Sequence, residues 1–138
     1  MAIFDIANHL SHKWKKPDYY LNYACAIGYQ QPVEFEYTFD FRGHKVNYNY
    51  GKVASELKGI IIYEQLNIDG VKVINKDKYS LYVTPEFGLS EMAIRNLKES
   101  ANNISIVNYL LGAVPFTKEH PMIYLQDFVE KFYLIEAM

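Results

Sequence analysis

The stretch Val33-Glu34-Phe35-Glu36-Tyr37-Thr38-Phe39-Asp40-Phe41, continued by Arg42-Gly43-His44 and Lys45-Val46-Asn47-Tyr48-Asn49-Tyr50, decides the fold class. In its first part Val33, Phe35, Tyr37, Phe39 and Phe41 alternate with Glu34, Glu36, Thr38 and Asp40. Successive side chains of an extended chain point to opposite faces, so this period of two describes a strand with one buried and one solvated face. Val46, Tyr48 and Tyr50 alternate with Lys45, Asn47 and Asn49 in the same way. With a turn at Arg42-Gly43-His44 between them, the two runs form an antiparallel hairpin.

Outward from that hairpin, Ile60 to Ile68 is a third strand, and Asp69-Gly70 after it is a strong two-residue hairpin signal. Val71 to Ile74 returns beside it and Tyr79 to Val83 adds a further strand. Two-residue turns join only antiparallel neighbours, so the sheet is expected to be an antiparallel meander of about five strands. Towards the N-terminus Ile3, Ile6, Ala7 and Leu10 recur at helical spacing, widened by Phe4, with Asp5, Asn8 and His9 on the other face. This helix starts without a capping residue, as expected of a chain cut within an element. Pro17 breaks the pattern, and Asp18 to Ala26 is expected to form a short second helix lined by Tyr19, Tyr20 and Tyr23.

After Pro85 the period changes. Leu89, Met92, Ala93 and Leu97 mark a helix ended by Asn102-Asn103, and Ile104, Val107 and Leu111 a short helix before Gly112. Pro115 to Pro121 reads as a loop, and Leu125, Phe128, Val129 and Phe132 make a closing amphipathic helix. The expected class is α+β, one domain over residues 1–138, with helices at the N-terminus and in the C-terminal third covering one sheet face.

Half of the 138 residues are hydrophobic, enough for a core without disulfide or metal. The lone Cys25 has no internal partner, which suits a reducing cytoplasm. No cationic stretch precedes a long apolar run, and runs such as Gly59 to Tyr63 are far too short to span a bilayer. Cytoplasmic location without a membrane partner is therefore expected. A net charge of −2 gives no global attraction to nucleic acid. The one basic patch, His12-Lys13-Trp14-Lys15-Lys16, reads either as a phosphate contact beside a stacking aromatic or as cations at a helix C-terminus. Tyrosine, at 13 residues, is the compositional outlier, and half-buried strand positions account for most of it.

No self-contained catalytic motif is present, and no catalytic, cofactor-binding or metal residue is assigned. G-x-x-x-x-G-K-[ST] is absent: Gly51-Lys52 is followed by Val53, where Ser or Thr would hold magnesium, and position 46 is valine. His9 and His12 share a helical face, but no further ligand accompanies them beyond Asp5, and His44 and His120 stand far apart in sequence. Cys25 reads as a small buried hydrophobe unless the fold brings a histidine to it. The acidic strip Glu34, Glu36 and Asp40 is what alternation places on any solvated strand face. Glu64 is the unusual carboxylate, because it falls among Ile60, Ile62 and Leu66 on one strand face. It is either held inside with a perturbed pKa or a cationic partner, or turned to water at an edge or bulge.

Several segments resemble one family. Ala2 to Leu10 looks like the helix that directly follows the phosphate loop in bacterial AAA-family ATP-binding proteins of the ABC/SMC-like group. Glu34 to Phe39, with the hairpin to Tyr50, is similar to the strand pair that follows there. Ile62 to Gly70 is similar to its next strand and turn, and Ile104 to Tyr109 to a later helical segment. The resemblance implies an internal, non-catalytic segment of a larger ATPase, lacking the Walker A and signature motifs that lie on either side. ATP and magnesium would then belong to the parent protein, with two ATP molecules sandwiched in a dimer, and some members are linked to phage defence or work with a nuclease. Implied partners are the remainder of the parent and further copies of the chain. Nucleic acid is a prospect for the parent that this chain does not itself indicate. The alternative from a different class is a free-standing binding domain that uses a tyrosine-rich sheet face. A small enzyme with a cavity between sheet and helices is a third.

Overall fold

The computed structural model describes residues 6, 9, 10, 32–55, 58–99 and 105–137. Five strands, β1 (Val33–Phe41), β2 (His44–Ser55), β3 (Lys58–Ile68), β4 (Val71–Lys76) and β5 (Leu81–Val83), lie in that order in one antiparallel sheet. A 3-10 turn at Pro85–Phe87 leads to α1 (Glu91–Glu99), α2 (Ile106–Ala113) and α3 (Pro121–Ala137). The α+β class and the antiparallel meander are as the alternation indicates. The expected helix at Asp18 to Ala26, the basic patch His12 to Lys16, His12, Cys25 and Asn102-Asn103 lie outside the described residues.

Two hairpins set the register. Phe41 pairs with His44 across Arg42-Gly43, and Ile68 with Val71 across Asp69-Gly70. All four turn residues have positive φ, from 51° to 86°, as two-residue turns that follow the strands' own twist require. Asp69 also ties the two turns together. Its Oδ1 accepts the Lys45 backbone N–H at 2.9 Å, its own N–H donates to the Lys45 carbonyl at 2.8 Å, and His44 Nδ1 lies 2.7 Å from its Oδ2.

The inner face is built in rows that cross the whole sheet. Tyr37, Tyr48, Leu66, Ile74 and Val83 form one, and all five are buried. Phe35, Tyr50, Glu64, Lys76 and Leu81 form the next. Onto this face pack helical residues Ile6 and Leu10, Leu97 of α1, Ile106, Val107, Leu110 and Leu111 of α2, and Met122, Leu125 and Val129 of α3. Phe39 and Phe41 extend the core toward Phe128, with ring centroids 5.0 and 6.5 Å away. Burying each such apolar side chain contributes about 1.5–3 kcal/mol. The outer face is polar: Glu36, Asn49, Gln65, Asn75 and Tyr82 share one row across the five strands.

Element ends differ from the periodicity where side chains cap the backbone. The last strand begins at Leu81 rather than Tyr79, because Asp77 Oδ1 accepts the N–H groups of Tyr79 and Ser80 and bends the chain there. Likewise α1 begins after Ser90, whose hydroxyl accepts the Ala93 N–H, and α2 begins after Ser105, whose hydroxyl accepts the Asn108 N–H. Pro121 closes no loop but opens α3, where a missing N–H costs nothing. Among the described residues no helix is long and apolar enough to cross a membrane.

Candidate functional site

Glu64 lies in the middle of β3, on the inner face, with no solvent exposure. The register shifts of its strand fall elsewhere, at Gly51/Lys52 and Leu66/Asn67, so no bulge turns it to water. Above it stands the N-terminus of α2, which brings N–H groups that have no partner within the helix. Ile106 donates its N–H to Glu64 Oε1 at 2.6 Å, and Val107 donates more distantly to Oε2 at 3.5 Å. The Ser105 hydroxyl donates to Oε2 at 2.7 Å while accepting from Asn108. Glu64 therefore supplies, from a strand more than forty residues earlier, the anion that a helix N-terminus favours.

From the sheet side Tyr48, paired two strand positions from Glu64 on the neighbouring β2, donates its hydroxyl proton to Oε2 at 2.5 Å. That length is in the range of a hydroxyl bonded to a charged carboxylate. Since Tyr48 has only one proton to give, His9 Nε2, 2.8 Å from the Tyr48 oxygen, must be the donor in that second bond. The imidazole lies flat on the Tyr50 ring, centroids 4.4 Å apart and planes 7° from parallel. Its Nε2 is 3.8 Å from Glu64 Oε2. Asn108 Nδ2 closes the circuit by donating to the His9 carbonyl at 2.8 Å. A helical turn, two strands and the start of α2 thus meet on one carboxylate.

The electrostatics follow from these contacts. Burial on its own pushes the Glu64 carboxyl up, but the hydrogen bond and charge of His9, with the hydroxyls of Tyr48 and Ser105, outweigh it and hold the group below its ordinary range. Tyr48 moves the other way: burial first, then the neighbouring Glu64 charge, raise its hydroxyl well above the usual phenol. Glu64 is thus a charged acceptor already engaged on both oxygens, and Tyr48 a fixed donor. Such a set orders structure: among the described residues both carboxylate oxygens are taken up in joining β2, β3 and the start of α2.

The other singled-out residues disperse. Gly51 and Lys52 lie inside β2, their peptides in the strand ladder, so no phosphate cradle forms and the described residues do not fit ATP and magnesium at this pair. Gly51 is small for a different reason: a Cβ there would come within 2.5 Å of the Tyr63 ring lying across it. Lys52 is buried, its ammonium 5.6 Å from the centre of the Tyr50 ring. His44 pairs with Asp69 at the hairpin tips, where that hydrogen bond, foremost, holds the aspartate below its ordinary range. His120 accepts the Met122 N–H at 3.2 Å at the start of α3, and burial lowers it. Glu34, Glu36 and Asp40 face outward in solvent. Among the described residues no three of His, Cys, Asp and Glu come close enough to hold a metal.

Sequence reasoning singled out Glu64 but missed its partners Tyr48, His9, Ser105 and α2. The available signal was a serine cap before Ile106 combined with an inward-facing carboxylate, since a docked helix N-terminus is one of few partners that can satisfy such a group. The tyrosines are divided: Tyr37, Tyr48 and Tyr50 are inside, whereas Tyr79, Tyr82 and Tyr109 are exposed. In comparisons with protein-family models, curated proteins and solved structures, no significant match to this chain was found.

Proposed function

We propose that this chain is a non-catalytic internal region of an ABC/SMC-like AAA-family ATPase, working in the cytoplasm and dependent on flanking segments for ATP hydrolysis. The observation that carries the non-catalytic part is the saturation of Glu64. The one deeply buried carboxylate among the described residues spends both oxygens on joining the turn at His9, the sheet and α2. Support for the ATPase part comes from the resemblance and from element order: helical residues Ile6, His9 and Leu10, an antiparallel meander, then helices. In this role the turn carrying His9 follows the parent's phosphate loop, and the Glu64 network fixes it to the sheet. Partners are the rest of the parent ATPase and further copies of the chain.

Calorimetry tests this. The chain alone is expected to give no saturable heat with ATP and magnesium, and a polypeptide extended by the upstream coding segment is expected to bind. A micromolar ATP site in the chain alone, or none in the extended protein, overturns the proposal.

One observation favours a binding-domain role instead. A cavity of about 450 Å³ on the outer sheet face is lined by Glu34, Glu36, Asn49, Tyr63 and Gln65, and Asn49 Oδ1 is buried there without a hydrogen-bond donor among the described residues. The surface such a domain would use is this polar face, not the tyrosines of the inner rows. A ligand protecting Tyr63 and Gln65 in a chain with no ATPase flanks would select that role.

A further inference from the structure

Lys76 is the residue that the Glu64 network leaves unexplained. It sits directly opposite Glu64 in the β3–β4 pairing, on the same buried face, and is only 5% exposed. Its Nζ is buried and has no hydrogen-bond acceptor among the described residues. A buried ammonium without an acceptor is among the most costly arrangements a fold can hold. Directly opposed residues have Cβ atoms about 4.5–5.5 Å apart, and a four-carbon stem spans that gap easily. Yet the Glu64 oxygens are turned to Tyr48, Ser105 and Ile106.

We propose that Glu64 has two competing partners, the N-terminus of α2 and the Lys76 ammonium, and that release of α2 is coupled to formation of the Glu64–Lys76 ion pair. In the docked arrangement the helix wins the carboxylate and Lys76 goes without. When α2 withdraws, Glu64 loses the donors of Ser105, Ile106 and Val107, and Lys76 replaces them from across the strand pair. The same step breaks the Asn108–His9 bond, so His9 is left with its Tyr48 bond and its stacking on Tyr50. The docked arrangement satisfies Glu64 and the α2 N-terminus at the expense of Lys76, and the undocked one pairs the two charges at the expense of the helix, which gives the packed element two discrete states. A partner that prefers α2 undocked then needs less differential affinity to shift the balance. This inference stands on the Glu64 geometry and does not depend on the ATPase proposal.

Hydrogen exchange read by mass spectrometry on the full chain tests it, following the peptide that spans α2 against those in β1 and β2. Lys76→Met removes the alternative partner and is expected to slow exchange in α2 by about tenfold while strand peptides keep their rates. Lys76→Arg, which keeps the charge, is expected to exchange like wild type. In a Glu64→Gln background, Lys76→Met is expected to have no effect on α2. Lys76→Gln carries the same comparison if the methionine variant does not fold. Unchanged or faster α2 exchange in Lys76→Met overturns the coupling, as does an equal slowing in every peptide, which would mark mere relief of a buried charge. Protection of β4 by inorganic phosphate in wild type but not in Lys76→Met would make Lys76 an anion site and also overturn it.

Discussion

Replacing Glu64 by glutamine exchanges one oxygen for an NH₂ group at almost no change of volume, so its consequences can be worked from the contacts. The amide oxygen can keep the Ile106 N–H, now as a neutral acceptor. Its NH₂ then stands where Oε2 accepted from Tyr48 and Ser105. Neither hydroxyl adapts freely. Ser105 already accepts from Asn108, and Tyr48 already accepts from His9, so a reversed Tyr48 proton has no acceptor. Two charge-assisted bonds of about 1.5–3 kcal/mol each are lost, and at best one neutral bond of about 1 kcal/mol replaces them. The expected loss is about 3 kcal/mol, out of a total stability on the order of 5–15 kcal/mol. Because Glu64 is fully buried, solvent screening does not reduce it. Urea unfolding followed by circular dichroism should show the loss as a lower midpoint at unchanged slope, and heating should show a Tm about 10 °C lower. A Glu64→Gln protein within 0.5 kcal/mol of wild type would refute the reasoning, since the carboxylate would then not be what holds α2.

Three further outcomes are expected. Stability should depend on pH through Glu64: its folded carboxyl titrates below the ordinary 4.5, so its contribution is present above that pH and drains away as pH falls through the folded value. Glu64→Gln should flatten this acid limb, and an unchanged limb would contradict the assignment. Tyr48 has the opposite sign, its folded pKa lying above the ordinary 10.0, so its contribution holds below pH 10 and is lost as pH rises toward the folded value. Tyr48→Phe should remove that alkaline loss in a pH-dependent denaturation series. Finally, Gly51→Ala should cost about 1–2 kcal/mol by driving a methyl into the Tyr63 ring, and much less in a Tyr63→Ala background. Equal costs in the two backgrounds would show that the ring is not the obstacle.

What the residues disclosed in advance follows the range of the forces involved. The β1–β2 and β3–β4 hairpins were legible because alternation and a two-residue turn are local, and the paired partners lie within a few residues of each other. The end of β2 was not. Lys52 stands at an inward position where a period-two pattern calls for an apolar residue, so the strand appeared to stop at Tyr50, although it runs to Ser55. Tyr79 suited a strand by propensity, but the Asp77 carboxylate captured its N–H and made a turn. Glu64 was conspicuous as an apolar-face carboxylate. Its actual partners could not be read, because Ser105 and Ile106 reach it only through the docking of α2, and His9 only through the packing of a helix more than fifty residues away. Nor could the state of Lys76 be foreseen, since cross-strand opposition to Glu64 suggests an ion pair, whereas the Glu64 oxygens are turned to Tyr48, Ser105 and Ile106.

The measurement that bears most directly on the proposed function is the coding sequence immediately upstream of Met1. The account predicts an open frame that encodes G-x-x-x-x-G-K-[ST] just before Ala2, which would place the His9 turn directly behind a phosphate loop. An in-frame stop codon directly before Met1 would contradict it, and the polar outer face around Asn49 and Tyr63 would then carry the leading explanation.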